Sequence, residues 1–382
     1  MRAPGRAHTR APLHTLFVIL LALIVGGCAA PGTIAGAGQL PAAAPRPTAA
    51  PLPPVQFPQD EAPHRDLTEW WYYTGHLHGS DAQGRAHTYG FELTLFQTLR
   101  GQFPPYYAAH FAISDLTRGA FHYDQRVALG SLAALPPPGS TAGFDLSVGG
   151  WRITGLDGHD HLAASMPGYT FDLTLSARKP PVLHGGNGII TYGLAGFSYY
   201  YSRPLISITG TLNDHETPVA VTGMAWMDHQ WGNFLSLAGA GWDWYSLQLD
   251  NNTEYMLYVI RDNQKRPLST VGTFVAPDGS AVEIPATAIS IQPTGTWTSP
   301  VTAGVYPSGW TVTITTQRLH LILTPALRDQ ELVTAQSTGV AYWEGTVRIS
   351  DTDAGHTVAG EGYVELTGYA TVPGNQAGPP IP

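Results

Sequence analysis

Period-two alternation of apolar and polar positions runs through most of the chain. In "YGFELTLFQ", Phe91, Leu93 and Leu95 share one face while Glu92 and Thr94 share the other, and "FDLTLSA", "LISITGTL", "WYSLQLD" and "VTITT" repeat the pattern. Side chains of a strand point alternately to its two faces, so each segment reads as a half-buried antiparallel strand. Between them lie "GSDAQGR", "LNDHETP", "LDNNTE" and "APDGS", whose residues accept the backbone conformations of hairpin turns. Only "TPALRDQELVTA" carries a weak helical period. Many short strands at hairpin spacing predict an all-β protein with few helices, built as a sandwich or closed barrel.

The pattern also recurs at larger scale. "EWWYYTGHL" (Glu69–Leu77) resembles "GWDWYSLQL" (Gly241–Leu249), and "GTLNDHETPVAVTGMAWMDH" (Gly210–His229) resembles "GTVRISDTDAGHTVAGEGYVEL" (Gly345–Leu366), in the same order. A duplicated β unit accounts for this, with an N-terminal domain over 59–235, a C-terminal domain over 236–372 and a tail over 373–382. The copies differ where one has Asp228-His229 and the other Glu365-Leu366. Any reaction that needs an imidazole there is confined to the first copy.

Composition and the N-terminus narrow the setting. Charged residues are only 12% of the chain, and 43 Gly and 32 Pro interrupt its apolar content, as suits short strands and turns. With 19 basic against 28 acidic residues, a formal charge of −9 and no Lys/Arg cluster, nucleic-acid binding is disfavoured, because it relies on concentrated positive charge. Arg2, Arg6 and Arg10 precede the apolar run Leu16–Val25 and "VGGC", which ends in the only cysteine, Cys28. This predicts a lipoprotein-type signal segment over 1–27 and lipidation of Cys28. An Ala/Pro/Gly-rich disordered tether follows over 28–58, leaving the globular part outside the cytoplasm and held to the cell envelope by acyl chains.

Candidate chemistry gathers in "GMAWMDHQWGN" (Gly223–Asn233). On a regular strand Val219, Val221, Ala225, Met227, His229 and Trp231 share a face that reads as a barrel interior, so His229 and Trp231 are expected to meet a cavity there. Trp226, Asp228 and Gln230 share the other face. Asp243 shares a face with Tyr245, Leu247 and Leu249. Desolvation would raise its pKa toward what a general acid needs. Glu69, beside Trp70, Trp71 and Tyr72, is a second candidate acid, and His110 in "YYAAHFAISD" is a polar group on an apolar strand. Aromatic walls can hold a developing carbocation. Each group also has a structural reading: Asp228 and His229 as hydrogen-bonded ties, the aromatics as core. "HLH" (His76, His78) and "HDH" (His159, His161) abut turns and read as surface histidines, so neither a metal nor a cofactor site is predicted. There is no G-x-S-x-G elbow, H-E-x-x-H or phosphate loop.

Together, "TEWWYYTGHL", "YGFELTLFQ", "AAHFAISD", "WMDHQWGN", "GWDWYSLQL" and "YWEGTV…GEGYVELTGYA" resemble the lipocalin-like superfamily that includes carotenoid hydratase (hydroxyneurosporene synthase) and the secreted AttH-like proteins. The resemblance covers about Asp60 to Ala370 and lies closer to the secreted branch. It implies two tandem lipocalin-like β-barrels with an apolar ligand site inside or between them. In the hydratase branch an acid protonates an alkene and water adds; distant relatives steer cyclisations. The family's Asp-His-x-aromatic motif falls on Asp228, His229 and Trp231. Two functions stay open: acid–base catalysis on an apolar small molecule, with Asp228, His229, Asp243 and Glu69 as catalytic candidates and Trp226, Trp231, Trp70, Trp71, Tyr72, His110 and Tyr245 on the ligand, or a non-catalytic carrier or sensor of a lipid-like ligand.

Overall fold

The computed structural model describes residues 51–234 and 241–372. The signal segment, Cys28, most of the tether and the tail lie outside the described residues. A compact unit runs from Pro53 onward.

The first sheet contains β1 (Thr68–Ser80), β2 (Ala86–Thr98), β3 (Tyr106–Asp115), β4 (Ala120–Leu129), β5 (Phe144–Val148), β6 (Trp151–Leu156), β7 (His159–Met166), β8 (Tyr169–Ala177), β9 (Val182–Leu183), β10 (Ile189–Thr191), β11 (Gly196–Asp214) and β12 (Thr217–Phe234). Its order is β4-β3-β2-β1-β12-β11-β8-β7-β6-β5, with β9 and β10 on β11. The second contains β13 (Gly241–Leu249), β14 (Glu254–Arg261), β15 (Pro267–Val275), β16 (Ala281–Ile284), β17 (Ile289–Pro293), β20 (Trp310–Ile314), β21 (Leu319–Pro325), β22 (Glu331–Val333), β23 (Ala341–Asp353) and β24 (His356–Thr367). Its order is β16-β15-β14-β13-β24-β23-β21-β20-β17, with β22 on β23, while β18 (Thr296–Thr298) and β19 (Val305–Pro307) form a separate ribbon.

The two orders match except for β5 at the end of the first: β1–β4 correspond to β13–β16, β11 and β12 to β23 and β24, and β8-β7-β6 to β21-β20-β17. Registers match as well, since Tyr72 stands opposite Asp228 and Trp244 opposite Glu365. Each sheet curls into a nearly closed barrel, the tandem arrangement the resemblance implies. The segment read as a weak helix, "TPALRDQELVTA", instead holds the end of β21 and then β22, whose Glu331 and Leu332 pair with Trp343 and Tyr342 of β23. Pairing there buries Leu332 completely, which a lone short helix would not achieve. Among the described residues the helical pieces are three-residue 3-10 turns.

Burial shows how the barrels meet. In β8 buried and exposed residues alternate from Tyr169 to Leu175, as expected with one wet face. In β1 every residue from Trp71 to Leu77 is buried. Its inner face joins a core with Tyr73, Phe111, Trp151 and Phe171. Its outer face joins Tyr200, Trp226, Trp244, Tyr258 and Tyr363 in a cluster drawn from both barrels. Gly90 of β2 allows this approach, because a Cβ there would lie 2.5 Å from the Tyr363 hydroxyl. Lys179 also ties the barrels, donating to Glu254 Oε2 at 2.6 Å.

Candidate active site

β12 carries its chemistry on both faces because both are covered. Parity turns Asp228 outward, away from the first barrel's core and toward the second barrel. Tyr72 of β1 and Ser202 of β11 flank it across the ladder. Asp228 Oδ2 accepts from the Tyr200 hydroxyl at 2.6 Å, and Oδ1 accepts from Trp226 Nε1 at 2.6 Å and from the Ser202 hydroxyl. Trp244 Nε1, from the second barrel, donates to the Tyr200 oxygen at 2.9 Å. Burial pushes the Asp228 carboxyl up to about 7 despite these three donors, which favour its charged form.

The same position of the second copy faces the same space. Burial lifts Glu365 to about 8, with Trp242 Nε1 donating to Oε2 at 3.0 Å and the charges of Glu92 and Asp228 adding to the rise. Glu92, on the outer face of β2, is raised to about 7 by burial. Its Oε1 accepts from Thr94 at 2.8 Å and from the Tyr342 hydroxyl at 3.0 Å. Glu344 stands directly opposite Glu365 on the β23–β24 ladder and accepts from Tyr72 at 2.7 Å. Burial, then Glu92 and Glu365, holds it well above the usual carboxylate range. Like charges opposite each other on a ladder repel, and no cation among the described residues is bonded to any of the four. They therefore keep protons at pH values where surface carboxyls have lost them.

Glu92, Asp228 and Glu365 line one cavity of about 60 Å³ between the barrels, room for water or the reacting end of a substrate. Trp70, Phe96, Trp242 and Trp244 supply ring walls, and Tyr72, Tyr200, Tyr258 and Tyr342 supply hydroxyls. Of the residues singled out from sequence, Asp228, Trp70 and Tyr72 stand on this wall, and Trp226 supports it through Asp228.

The others lie elsewhere. His229 and Trp231 face the first barrel's interior, as parity requires, but aromatic side chains fill that interior. Trp71 stacks on His229 at 4.6 Å and His64 on Trp231 at 4.1 Å. Glu69 is buried between two imidazoles, 2.7 Å from His64 Nδ1 and 2.8 Å from His229 Nε2. Burial pushes His64 down, yet Glu69 and Asp60 bring it to about 9, whereas burial leaves His229 lowered. The trio has metal-ligand chemistry. Glu69 Oε1, however, stands at hydrogen-bond separation from both ring nitrogens, closer than the roughly 3.3 Å between ligands placed tetrahedrally at 2.0–2.1 Å from zinc. Asp243 does not reach the inter-barrel cavity. Burial raises it to about 6 against the pull of Arg261, which pairs with it at 2.9 Å. Tyr245 belongs to the second barrel's core, edge-on to Trp310. His110 is buried beside Tyr342, outside the cavity wall.

His78 and His161 are surface histidines, but His76 is not. It is buried at the barrel interface, 2.7 Å from Thr346 Oγ1, because β1 is covered on both sides. The acids that alternation alone misses are Glu92, Glu344 and Glu365. The repeat held the signal for Glu365, since it aligns Asp228 with an acid; Glu92 had only its place opposite an apolar face.

Residues 48–369 match the AttH-like family. The chain belongs to that family. A crystal structure of an AttH protein from Nitrosomonas europaea is 32% identical with a TM-score of 0.73, covering 84% of this chain and 98% of that one. Kievitone hydratase from Nectria haematococca shares the fold at 22% identity, with a TM-score of 0.65 over 84% of this AttH-like chain and 94% of the hydratase. The dehydratase asqC of Emericella nidulans is 30% identical over 146 residues, 36% of this chain and 40% of that protein.

Proposed function

We propose that this AttH-like protein is a lyase of the hydratase or dehydratase type, acting on an apolar small molecule whose reacting end enters the inter-barrel cavity. The observation that carries this reading is the presence of three carboxyls with raised pKa values on one aromatic wall. A protonated acid near its own pKa is an effective proton donor at neutral pH. In the hydration direction it adds its proton to an alkene carbon, the ring faces stabilise the resulting cation, and water attacks while a second carboxylate takes the proton that water loses. Dehydration is the reverse. A carrier needs only aliphatic and aromatic walls, so three acids in so small a space weigh against that alternative. The hydratase and dehydratase among the relatives lend support of the same kind.

We propose further that the protein works outside the cytoplasm, held by a lipidated Cys28; the basic n-region, apolar run and "VGGC" are what support this. The catalytic reading is tested by incubating purified protein with apolar alkenes and tertiary alcohols in oxygen-18 water and following label in the alcohol by mass spectrometry. Asp228→Asn and Glu365→Gln should each abolish incorporation. Incorporation that persists at the wild-type rate in both variants would sink the reading.

A further inference from the structure

Glu92 leaves one end of its carboxyl unused. Oε1 accepts from the Thr94 and Tyr342 hydroxyls at 2.8 and 3.0 Å, whereas Oε2 is buried without a partner in the protein, on a side chain that lines the inter-barrel cavity. A buried oxygen of this kind costs stability unless something donates to it. Asp228 and Glu365 stand on the same wall, so whatever enters meets three carboxyls. The imidazoles behind that wall add no positive charge. Burial keeps His110, which bonds to Tyr342, and His184, which bonds to Ser202, neutral, pushing each down to about 3. Trp70, Phe96, Trp242 and Trp244 complete the wall, and the face of an aromatic ring attracts a cation. Among the described residues the protein's own cations lie over Trp151 and Tyr369, not over a ring of this cavity. Trp70, Phe96 and Trp242 are half-buried and Glu92 is enclosed, which puts the rings at the open side and Oε2 at the closed end.

We propose that the inter-barrel cavity is a binding site for a small organic ammonium ion, held between ring faces and donating an N–H to Glu92 Oε2. A space of about 60 Å³ takes a head group of a few heavy atoms. As the ammonium enters, one carboxyl gives its proton to the buffer, so the cavity stays neutral. A metal ion suits the wall less well. Among the described residues His64, Glu69 and His229 alone bring three ligand atoms within 4.8 Å of one another. The carboxyls of the cavity are therefore spread more widely than the oxygens around magnesium, each about 2.0–2.1 Å from the ion. The inference goes beyond the acid–base reading, since binding needs no turnover; an amine held here occupies the space in which the cation of that reaction would form.

Protein labelled with nitrogen-15 at tryptophan tests the site without a substrate. The indole N–H groups of Trp226 and Trp242 bond to Asp228 and Glu365, so their NMR signals report the wall directly. Isopropylamine, charged in a mildly alkaline buffer, and 2-propanol, its neutral match in shape, are titrated in turn. The amine should shift both signals to saturation and bind roughly thirtyfold more tightly than the alcohol, the ratio expected of a desolvated cation–ring contact. Glu92→Gln keeps the shape and removes the charge at the free oxygen. It should cut that preference about tenfold, as the loss of a hydrogen bond to a charged group does; the wild-type comparison stands by itself if the variant does not fold. Equal affinity for amine and alcohol, no saturable shift at Trp226 and Trp242, or a preference undiminished in folded Glu92→Gln overturns the ammonium site. Oxygen-18 incorporation that Asp228→Asn abolishes, without any preference for the amine, overturns this site alone and leaves the acid–base reading in place. Preference for the amine without incorporation does the reverse.

Discussion

Asparagine at position 228 should make the protein slightly less stable than the wild type in mild acid and more stable above neutrality. Asp228 titrates near 7 when folded, against an ordinary 3.8, with burial as the main cause. A raised acid pKa means the folded state holds a proton that the unfolded chain has lost. Stability therefore falls as pH rises from about 4, and the loss is complete above about 7. At 1.36 kcal/mol per pH unit over roughly three units, the ionised carboxyl destabilises the fold by about 4 kcal/mol. Asparagine never ionises and escapes this term, but its amide cannot accept the Tyr200 hydrogen bond as Oδ2 does, a loss of about 1 kcal/mol at every pH. Asp228→Asn should thus be about 1 kcal/mol less stable near pH 4 and about 3 kcal/mol more stable near pH 8. Other groups that titrate in this range, His110 and Glu365 among them, are common to both proteins and largely cancel in the difference. Urea unfolding across the range, with equal m values in the two proteins, reads it directly. A difference that stays flat with pH would refute the raised pKa. One that worsens for the variant as pH rises would mean that Tyr200, Ser202 and Trp226 hold a charged carboxylate, and the wall would lose its proton donor.

Glu69→Gln leaves His64 and His229 without their shared carboxylate, so thermal unfolding should report a loss of about 3 kcal/mol and the His64 NMR titration should fall well below about 9; an unchanged titration would dissolve the ion pair. Gly90→Val drives a side chain into Tyr363 and Thr346, so the variant should lose oxygen-18 incorporation and expose tryptophan fluorescence to quencher, and wild-type values of both would show that the barrels do not need this close approach. Cys28→Ser should release the protein from the membrane fraction or block its maturation, and unchanged fractionation would remove the lipid anchor.

Alternation identifies the strands, leaves sandwich and closed barrel open, and does not by itself choose the tandem barrels that the resemblance implies. Strands such as Tyr169–Ala177 have one wet face, and their apolar period is the signal that one covered face leaves in a sequence. The same period separates the two faces of β12, with His229 and Trp231 inward and Asp228 outward. It could not tell what covers the polar face. In Ala86–Thr98, Glu92 and Thr94 read as the solvent side of a half-buried strand, yet both are enclosed, because the covering surface is another barrel brought there by contacts far along the chain. His76 is misread for the same reason, whereas Asp243 has the raised pKa that its apolar neighbours predict, but pairs with Arg261 of the neighbouring strand and stands off the inter-barrel cavity.

The duplication explains why the missed acids and the one singled out share a cavity. Two copies of a sheet that pack through the outer faces of matching strands bring matching positions toward each other. Asp228 on β12 and Glu365 on β24 occupy the same place in their barrels and line the same space. An acid at that position in a single barrel would face water and titrate as an ordinary carboxyl. Doubling the unit removes the water, brings a second acid within range of the first, and supplies the rings of Trp242 and Trp244 as walls, so the shifted pKa values belong to the pairing of barrels and to neither one alone. His229 has no counterpart, since Leu366 holds its place in the second copy, and it faces its own barrel's core. A reaction built on this interface needs the acids of both copies and does not need that imidazole to touch the substrate.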